Sequence, residues 1–341
     1  MNWTAHFDLD PGFLNTASLG VPPRDAFAEL SAVLAAWQRG QLAANDLDTF
    51  VDRARIAWAK ISMVEPRNVA IGATVSGLVG IVAASLPNSS KVLIATGDFT
   101  SVTFPFLVQS ARGVSVAEVP LGELIDSIDD SVDLVAVSSV QSADGRIIDV
   151  EGLVRRSRKH GTKVLLDTTQ SCGWLPIDCS RVDYVVCGGY KWLLSPRGVA
   201  FMSVAPELLQ GLLPHGAGWY AGEDIWSSIY GSPLRLSEQA RRLDTSPAWF
   251  SWVGAAGALE FLARIDANEI HQHNVNLANS LLTALGLPKQ DSAIITLDRP
   301  DAAERLKTAG IRTALRAGKI RASFHLYNNE NDVDLAYNAL R

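Results

Sequence analysis

Six short apolar runs in this chain are, in the main, continuous rather than alternating, and that pattern limits its fold more than any other feature. They lie at 92–95, 114–119, 134–137, 164–166, 184–186 and 199–203. A strand with one wet face alternates apolar and polar residues, whereas a strand covered on both faces does not. Stretches of helical spacing fall around them, at 24–61, 78–86, 102–111 and 149–160, the last closed by Gly161. A further short run at 68–71 leads into the turn GATVSG at 72–77. Buried strands separated by helices predict an α/β domain on a mainly parallel sheet. Such sheets bind ligands beyond the carboxyl ends of their strands. Polar clusters follow three of the runs: TGDFTS at 96–101, SSVQSADG at 138–145 and DTTQ at 167–170. Ordinary loops have a similar composition, so the clusters alone do not make a site.

The remainder reads differently. Residues 208–247 are rich in Gly, Pro and aromatics and read as irregular. Helices at 248–265, 274–285, 301–309 and 332–340, a strand at 293–297 and a β pair at 311–315 and 320–324 suggest a separate α+β unit. The expected division is a large domain over 17–247 and a small one over 1–16 plus 248–341, within the usual domain size for 341 residues. The net charge of −6 and the absence of a large Lys/Arg cluster argue against a nucleic-acid partner. No apolar run approaches the ~20 residues of a membrane span, and the acids and proline near the start are unlike a secretory signal. Cys172, Cys179 and Cys187 are odd in number and lack metal-site spacing. They read as small buried side chains in a reducing, cytoplasmic setting.

The densest chemistry lies in 163–198, KVLLDTTQSCGWLPIDCSRVDYVVCGGYKWLLSPRG. One apolar run ends in Asp167, with Gln170 three residues on, and the next leads through Gly188, Gly189 and Tyr190 to Lys191. An acid at one strand end and a lysine just past the next can hold a flat heteroaromatic ring between them. Pyridoxal phosphate needs an anion for its ring nitrogen and an amine for its aldehyde.

With these residues assembled, the chain resembles the class V aminotransferase family, the branch of fold-type-I pyridoxal-phosphate enzymes that also holds cysteine desulfurases, C–S lyases, kynureninases and isopenicillin-N-epimerase-like proteins. The similarity rests on five segments in order: FLNTASLG at 13–20, GATVSG at 72–77, DTTQ with YKWLLSPRG, RLDTSP at 242–247 and IRASFHLYNNENDVD at 320–334. It implies a mainly parallel large domain, a smaller α+β domain, pyridoxal 5′-phosphate as cofactor, an amino-acid substrate and a homodimer with shared sites.

The resemblance also implies roles. Lys191 is the Schiff-base lysine and the base for the substrate Cα proton; a lysine must be neutral for either task, which burial favours. Asp167 pairs with the pyridinium nitrogen, and Gln170 donates to the phenolic oxygen. Thr74 and the backbone at Val75 hold the phosphate at a helix N-terminus. Ser246 reaches the phosphate from the partner subunit, and Phe99 stacks on the ring. Arg321 grips the substrate carboxylate with its planar fork, while Asn15 and Ser142 line the site. Plainer readings exist: Asp167 or Thr74 as a helix cap, Phe99 as a core residue, Arg321 as a solvated strand arginine.

Two departures stand out. The family often has Ser-x-His-Lys where this chain has Gly188-Gly189-Tyr190-Lys191, so one phosphate-binding hydroxyl is lost and Tyr190 stands where the histidine would. No cysteine follows Cys187, which disfavours a persulfide-forming desulfurase, since only a thiolate serves as that acceptor. Transamination is the leading expectation. C–S elimination, epimerisation and a non-catalytic binding protein of the same fold are the alternatives.

Overall fold

The continuous apolar runs form the centre of one seven-stranded sheet in the computed structural model, which describes residues 3–341. Residues 1 and 2, the start of the segment assigned above to the small domain, lie outside the described residues. The strands are β1 (Val69–Gly72), β2 (Lys91–Ala95), β3 (Ser115–Val119), β4 (Leu134–Ser138), β5 (Lys163–Asp167), β6 (Tyr184–Gly188) and β7 (Ala200–Val204), in the spatial order β1-β7-β6-β5-β4-β2-β3. From β3 through β6 every neighbouring pair is parallel. β7 runs antiparallel to both β6 and β1.

Helices α1 (Arg24–Gln38), α2 (Asp48–Ser62), α5 (Val150–His160) and α6 (Trp249–Leu262) cover one face, and α3 (Val75–Ser85) and α4 (Thr100–Leu107) cover the other. Successive strand residues point to opposite faces. Val135 and Val137 of β4 accordingly join the core with Trp58 of α2, while Leu134 and Ala136 join the core with Phe106 of α4. Both faces are dry, so neither set of positions can be polar. Trp58 lies flat on Phe201 of β7, ring centroids 5.0 Å apart, which ties α2 to the sheet.

The structure corrects several local expectations. The helical stretch 24–61 is two helices, broken where Gly40 takes φ +67°. The helix expected at 78–86 starts at Val75, inside the GATVSG turn. The helix at 102–111 ends at Leu107 and continues as a 3-10 turn. β3 is the edge strand, paired only with β2 among the described residues, and its side chains are exposed or half-buried. Residues 208–247 hold short 3-10 turns and one isolated bridge, Gly222 to Leu236, in keeping with an irregular segment.

A three-stranded antiparallel sheet, β8 (Ile294–Leu297), β10 (Lys319–Ser323) and β9 (Ala314–Arg316) in that order, forms a second layer with α7 (Ala267–Ala284), α8 (Ala302–Thr308) and α9 (Glu330–Leu340). β9 starts later than the pattern suggested, since Arg312 bridges to Phe13 instead. Asn15 bridges to Ser323 and Leu14 fills this unit's own core beside Phe324, so the N-terminal segment is stitched to the C-terminal sheet. The β9–β10 turn is Ala317-Gly318, both at positive φ, the two-residue turn that suits strand twist.

Candidate active site

Parallel pairing puts the carboxyl ends of β2, β4, β5 and β6 side by side, and their polar residues bond to one another there. Asp98, beyond β2, accepts from the Ser138 backbone N–H (2.7 Å) and hydroxyl (2.6 Å) at the end of β4. Ser139 N–H donates to the Asp167 carbonyl at 2.9 Å, and Gly188 N–H donates to the Thr169 hydroxyl at 2.9 Å. A hydrogen-bonded floor results, with Asp167 and Lys191 both facing a pocket above it.

Lys191 is positioned by its neighbours. Trp192 is fully buried; its indole N–H donates to Gln170 Oε1 at 2.8 Å, and its carbonyl pairs with His325 Nε2 at 2.9 Å. Burial pushes His325 down to about 4, so the contact involves a neutral ring. The backbone then turns sharply, with Leu194 at φ +56°, its N–H on the Lys191 carbonyl. Gly20 donates its N–H to the Tyr190 carbonyl, and any Cβ there would fall 2.0 Å from the Lys191 carbonyl oxygen. The first and last of the five sequence segments thus brace the lysine loop from two sides.

The pocket brings together eight of the expected residues: Thr74, Val75, Phe99, Ser142, Asp167, Gln170, Tyr190 and Lys191. The Lys191 amine lies 5.2 Å from the Phe99 ring centroid and 5.6 Å from that of Tyr190. Phe99 is 42% exposed, so it is a wall of the opening and not a core residue. Thr74 is the N-cap of α3, its hydroxyl accepting from Gly77 N–H at 3.2 Å. The remaining first-turn N–H groups have no partner inside the helix. Asp167 also accepts from Thr169 N–H at 2.8 Å, which is a local turn and not the start of a helix. Gln170 is fully engaged: Nε2 donates to Ala17 O (3.1 Å) and Ser142 Oγ (2.9 Å).

Burial sets the electrostatics. Lys191 is pushed down to about 8 by desolvation, partly opposed by Asp167 and reinforced by Arg321 and Arg316. Asp167 is pushed up to about 6, again chiefly by desolvation, with the Thr169 hydrogen bonds acting against it. Among the described residues no ion pair within 4.0 Å joins the two. A buried acid and a buried amine therefore share a pocket without neutralising each other in direct contact.

Arg321 is 1% exposed and is no solvated strand arginine. Its Nη1 donates to the Ser142 carbonyl (2.5 Å) and hydroxyl (3.1 Å), its Nη2 to Ser18 Oγ (2.8 Å), and its Nε has no partner. Among the described residues no carboxylate pairs with it. Burial and the nearby Arg316 lower its pKa to about 10. A buried cation of this kind calls for an anion from outside the fold.

Asn15, Ser246 and Arg321 do not line the pocket; Arg321 adjoins it through its bonds to Ser142, which does. Asn15 Oδ1 is buried without a partner, and Ser246 is exposed. Next to Ser246, Asp244 is buried, 2.7 Å from Arg55, and accepts from Ile71 N–H at 2.8 Å, so the RLDTSP segment is pinned to β1. Sequence reasoning missed Ser18, Arg197 and Arg316. Arg197 lines the pocket with its guanidinium 4.9 Å over the Tyr190 ring, and its only signal was its place in the PRG tripeptide after the lysine.

The family model for "Aminotransferase class-V" matches residues 109–303. The chain is 30% identical over 302 residues to an uncharacterised aminotransferase, YcbU, of Bacillus subtilis, covering 82% of this chain and 80% of that protein. It is 25% identical to isopenicillin N epimerase of Streptomyces clavuligerus, over 97% and 95% of the two chains. The crystal structure of the cysteine desulfurase CsdA from Escherichia coli superposes with a TM-score of 0.85 at 20% identity, covering 99% of this chain and 96% of that one. Sheet order, buried lysine and aspartate, and these matches agree: the chain belongs to the class V aminotransferase family, pyridoxal-phosphate enzymes of fold type I.

Proposed function

We propose that this protein is an aminotransferase that removes the amino group of an amino acid in the pocket between Lys191 and Asp167. The observation that carries this reading is the pairing in one buried site of an amine lowered to about 8 with a carboxylate held apart from it. The residues fit pyridoxal phosphate by their chemistry. Asp167 offers a desolvated carboxylate to a ring nitrogen, Lys191 an amine to an aldehyde, and the first turn of α3 unpaired N–H groups to a phosphate. Phe99 offers a flat apolar wall. When bound, the cofactor supplies the sink for negative charge developing at the substrate Cα.

The chain's own residues do the rest. Arg321 binds the α-carboxylate, the anion its unpaired guanidinium lacks. The Lys191 amine takes the Cα proton and returns it elsewhere, which its lowered pKa permits near neutrality. Phe99 carries no proton to exchange, so on that wall of the pocket nothing competes with Lys191 as base. Persulfide chemistry fits poorly: Cys172, Cys179 and Cys187 are all buried and none lines the pocket. We also assign Ser246 a phosphate contact across a two-fold axis; a monomer in sedimentation at working concentration would remove that role.

The deciding experiment is to mix holoenzyme with a panel of amino acids and follow the cofactor. Its conversion to the pyridoxamine form with release of the keto acid supports amino transfer. Solvent deuterium entering Cα without that conversion, or pyruvate and sulfide from cysteine, sinks it.

Two further outcomes follow. Arg321→Ala should raise KM for amino acids by about 30- to 5,000-fold, the range for losing one partner of a buried charge pair, with cofactor absorbance retained; loss of cofactor binding would instead refute the carboxylate role. The rate at which apoprotein captures pyridoxal phosphate should rise about tenfold per pH unit below about 8 and level off above it, because only the neutral amine attacks. A rate flat with pH by stopped-flow absorbance would show that the capturing amine is not the lowered Lys191.

A further inference from the structure

Hairpin register places three cations on one face of the small sheet. Lys319 is paired with Arg316 and Arg321 with Ala314, cross-strand partners share a face, and residues two apart along a strand do too. Arg316, Lys319 and Arg321 therefore project together, with Arg316 the diagonal neighbour of Arg321. The fold treats them unequally. Lys319 has a carboxylate, Asp298, at 3.3 Å. Arg316 and Arg321 have none among the described residues. Both instead reach one neutral hydroxyl, Ser18 Oγ, from Nη2 at 3.4 Å and 2.8 Å respectively.

Two guanidinium groups converging on one hydroxyl repel each other unless anions are supplied. Arg321, under the reading above, takes the α-carboxylate, and one cation is then left over. Arg316 is exposed, and its other bond, to the carbonyl of its own neighbour Leu315 at 2.8 Å, leaves donors available. Ser18 Oγ accepts from both arginines, so its own proton is also free to donate. Arg321 bonds to Ser142, and Ser142 lines the pocket that Lys191 faces, so the paired arginines adjoin that pocket.

We propose that Arg316 binds a second anionic group on the substrate, which makes the substrate class amino acids whose side chain ends in a carboxylate or sulfinate. The amino group at Lys191, the α-carboxylate at Arg321 and the side-chain acid at Arg316 give three points of attachment. This rests on the proposed amino-transfer function for the first two points but not for the third.

The test uses holoenzyme and compares kcat/KM for aspartate, glutamate and cysteine sulfinate with alanine, 2-aminobutyrate and norvaline. Wild type should favour the acidic set, and Arg316→Gln should reduce the acidic-to-neutral ratio roughly tenfold or more. Lys319→Gln, which removes a charge already paired on the same face, should leave the ratio in place. A ratio unchanged in Arg316→Gln, or an equal loss for both sets, overturns the proposal. A second measurement is independent of turnover: calorimetric binding of glutarate against butyrate to the same proteins. If no amino acid reacts yet glutarate binds in an Arg316-dependent way, the aminotransferase reading fails and the diacid site stands. If glutarate gains nothing over butyrate in wild type, the site itself is refuted.

Discussion

Lys191→Ala is expected to lower turnover by about 10²- to 10⁴-fold and to abolish the absorbance of lysine-bound cofactor, without unfolding the protein. The fold should survive because, among the described residues, the amine makes no hydrogen bond that the loop depends on. Its contacts are to the faces of Phe99 and Tyr190. The loop is held by backbone and by neighbours: Trp192 to Gln170 and His325, Gly20 to Tyr190, Leu194 to the Lys191 carbonyl. Lys191→Arg should be as inactive as the alanine variant, since a guanidinium stays charged at any working pH and cannot act as nucleophile or base. The two variants part company in rescue. Added methylamine or ethylamine should recover measurable turnover in Lys191→Ala, where the truncation leaves room for it, and none in Lys191→Arg. Wild-type turnover in either variant would remove Lys191 from the chemistry altogether.

What the sequence disclosed and what it hid divide along a physical line. Asp167 and Lys191 were legible because strand ends in a parallel sheet are marked by where an apolar run stops, and two such stops fell on an acid and near a lysine. Arg321 was legible as a residue but not as a buried, unpaired cation. Its isolation depends on what the Ser18 and Ser142 segments fail to supply, and no local pattern carries that. Arg316 was hidden for a related reason. Its alignment with Arg321 follows from a two-residue turn at Ala317-Gly318, and a one-residue error in that turn reverses the face. The antiparallel β7 was equally hidden, since a strand buried on both faces reads the same in either direction. The break at Gly40 was visible as a glycine, yet a single glycine inside a helical pattern is tolerated as often as it ends one. Ser246 is exposed and stays outside the pocket, and its local sequence carried no sign of that.

Asp167→Asn should stabilise the apoprotein at neutral pH while reducing turnover of the holoenzyme by about 10²-fold or more. The two effects have one cause. Desolvation holds the folded-state pKa near 6, above the ordinary 3.8, so the native chain binds this proton more tightly than the unfolded chain does. Stability then falls as pH rises from about 4 to about 6, and above that range the buried charge costs on the order of 2–3 kcal/mol. Asparagine never ionises and keeps an oxygen for the Thr169 N–H that Asp167 now accepts at 2.8 Å. Apo Asp167→Asn should therefore melt a few degrees higher than wild type near pH 7, and the gap should close near pH 4, where the native aspartate is already protonated. With cofactor present the order reverses, because a neutral amide cannot hold a proton on the ring nitrogen, and the variant should lose the extra stability that wild type gains from binding. Melting curves of apo and holo forms at the two pH values measure all of this. A variant less stable than wild type as apoprotein near pH 7 would mean that the carboxylate is matched by partners inside the fold, and that Asp167 is a structural acid rather than one held ready for a cation brought by the ligand.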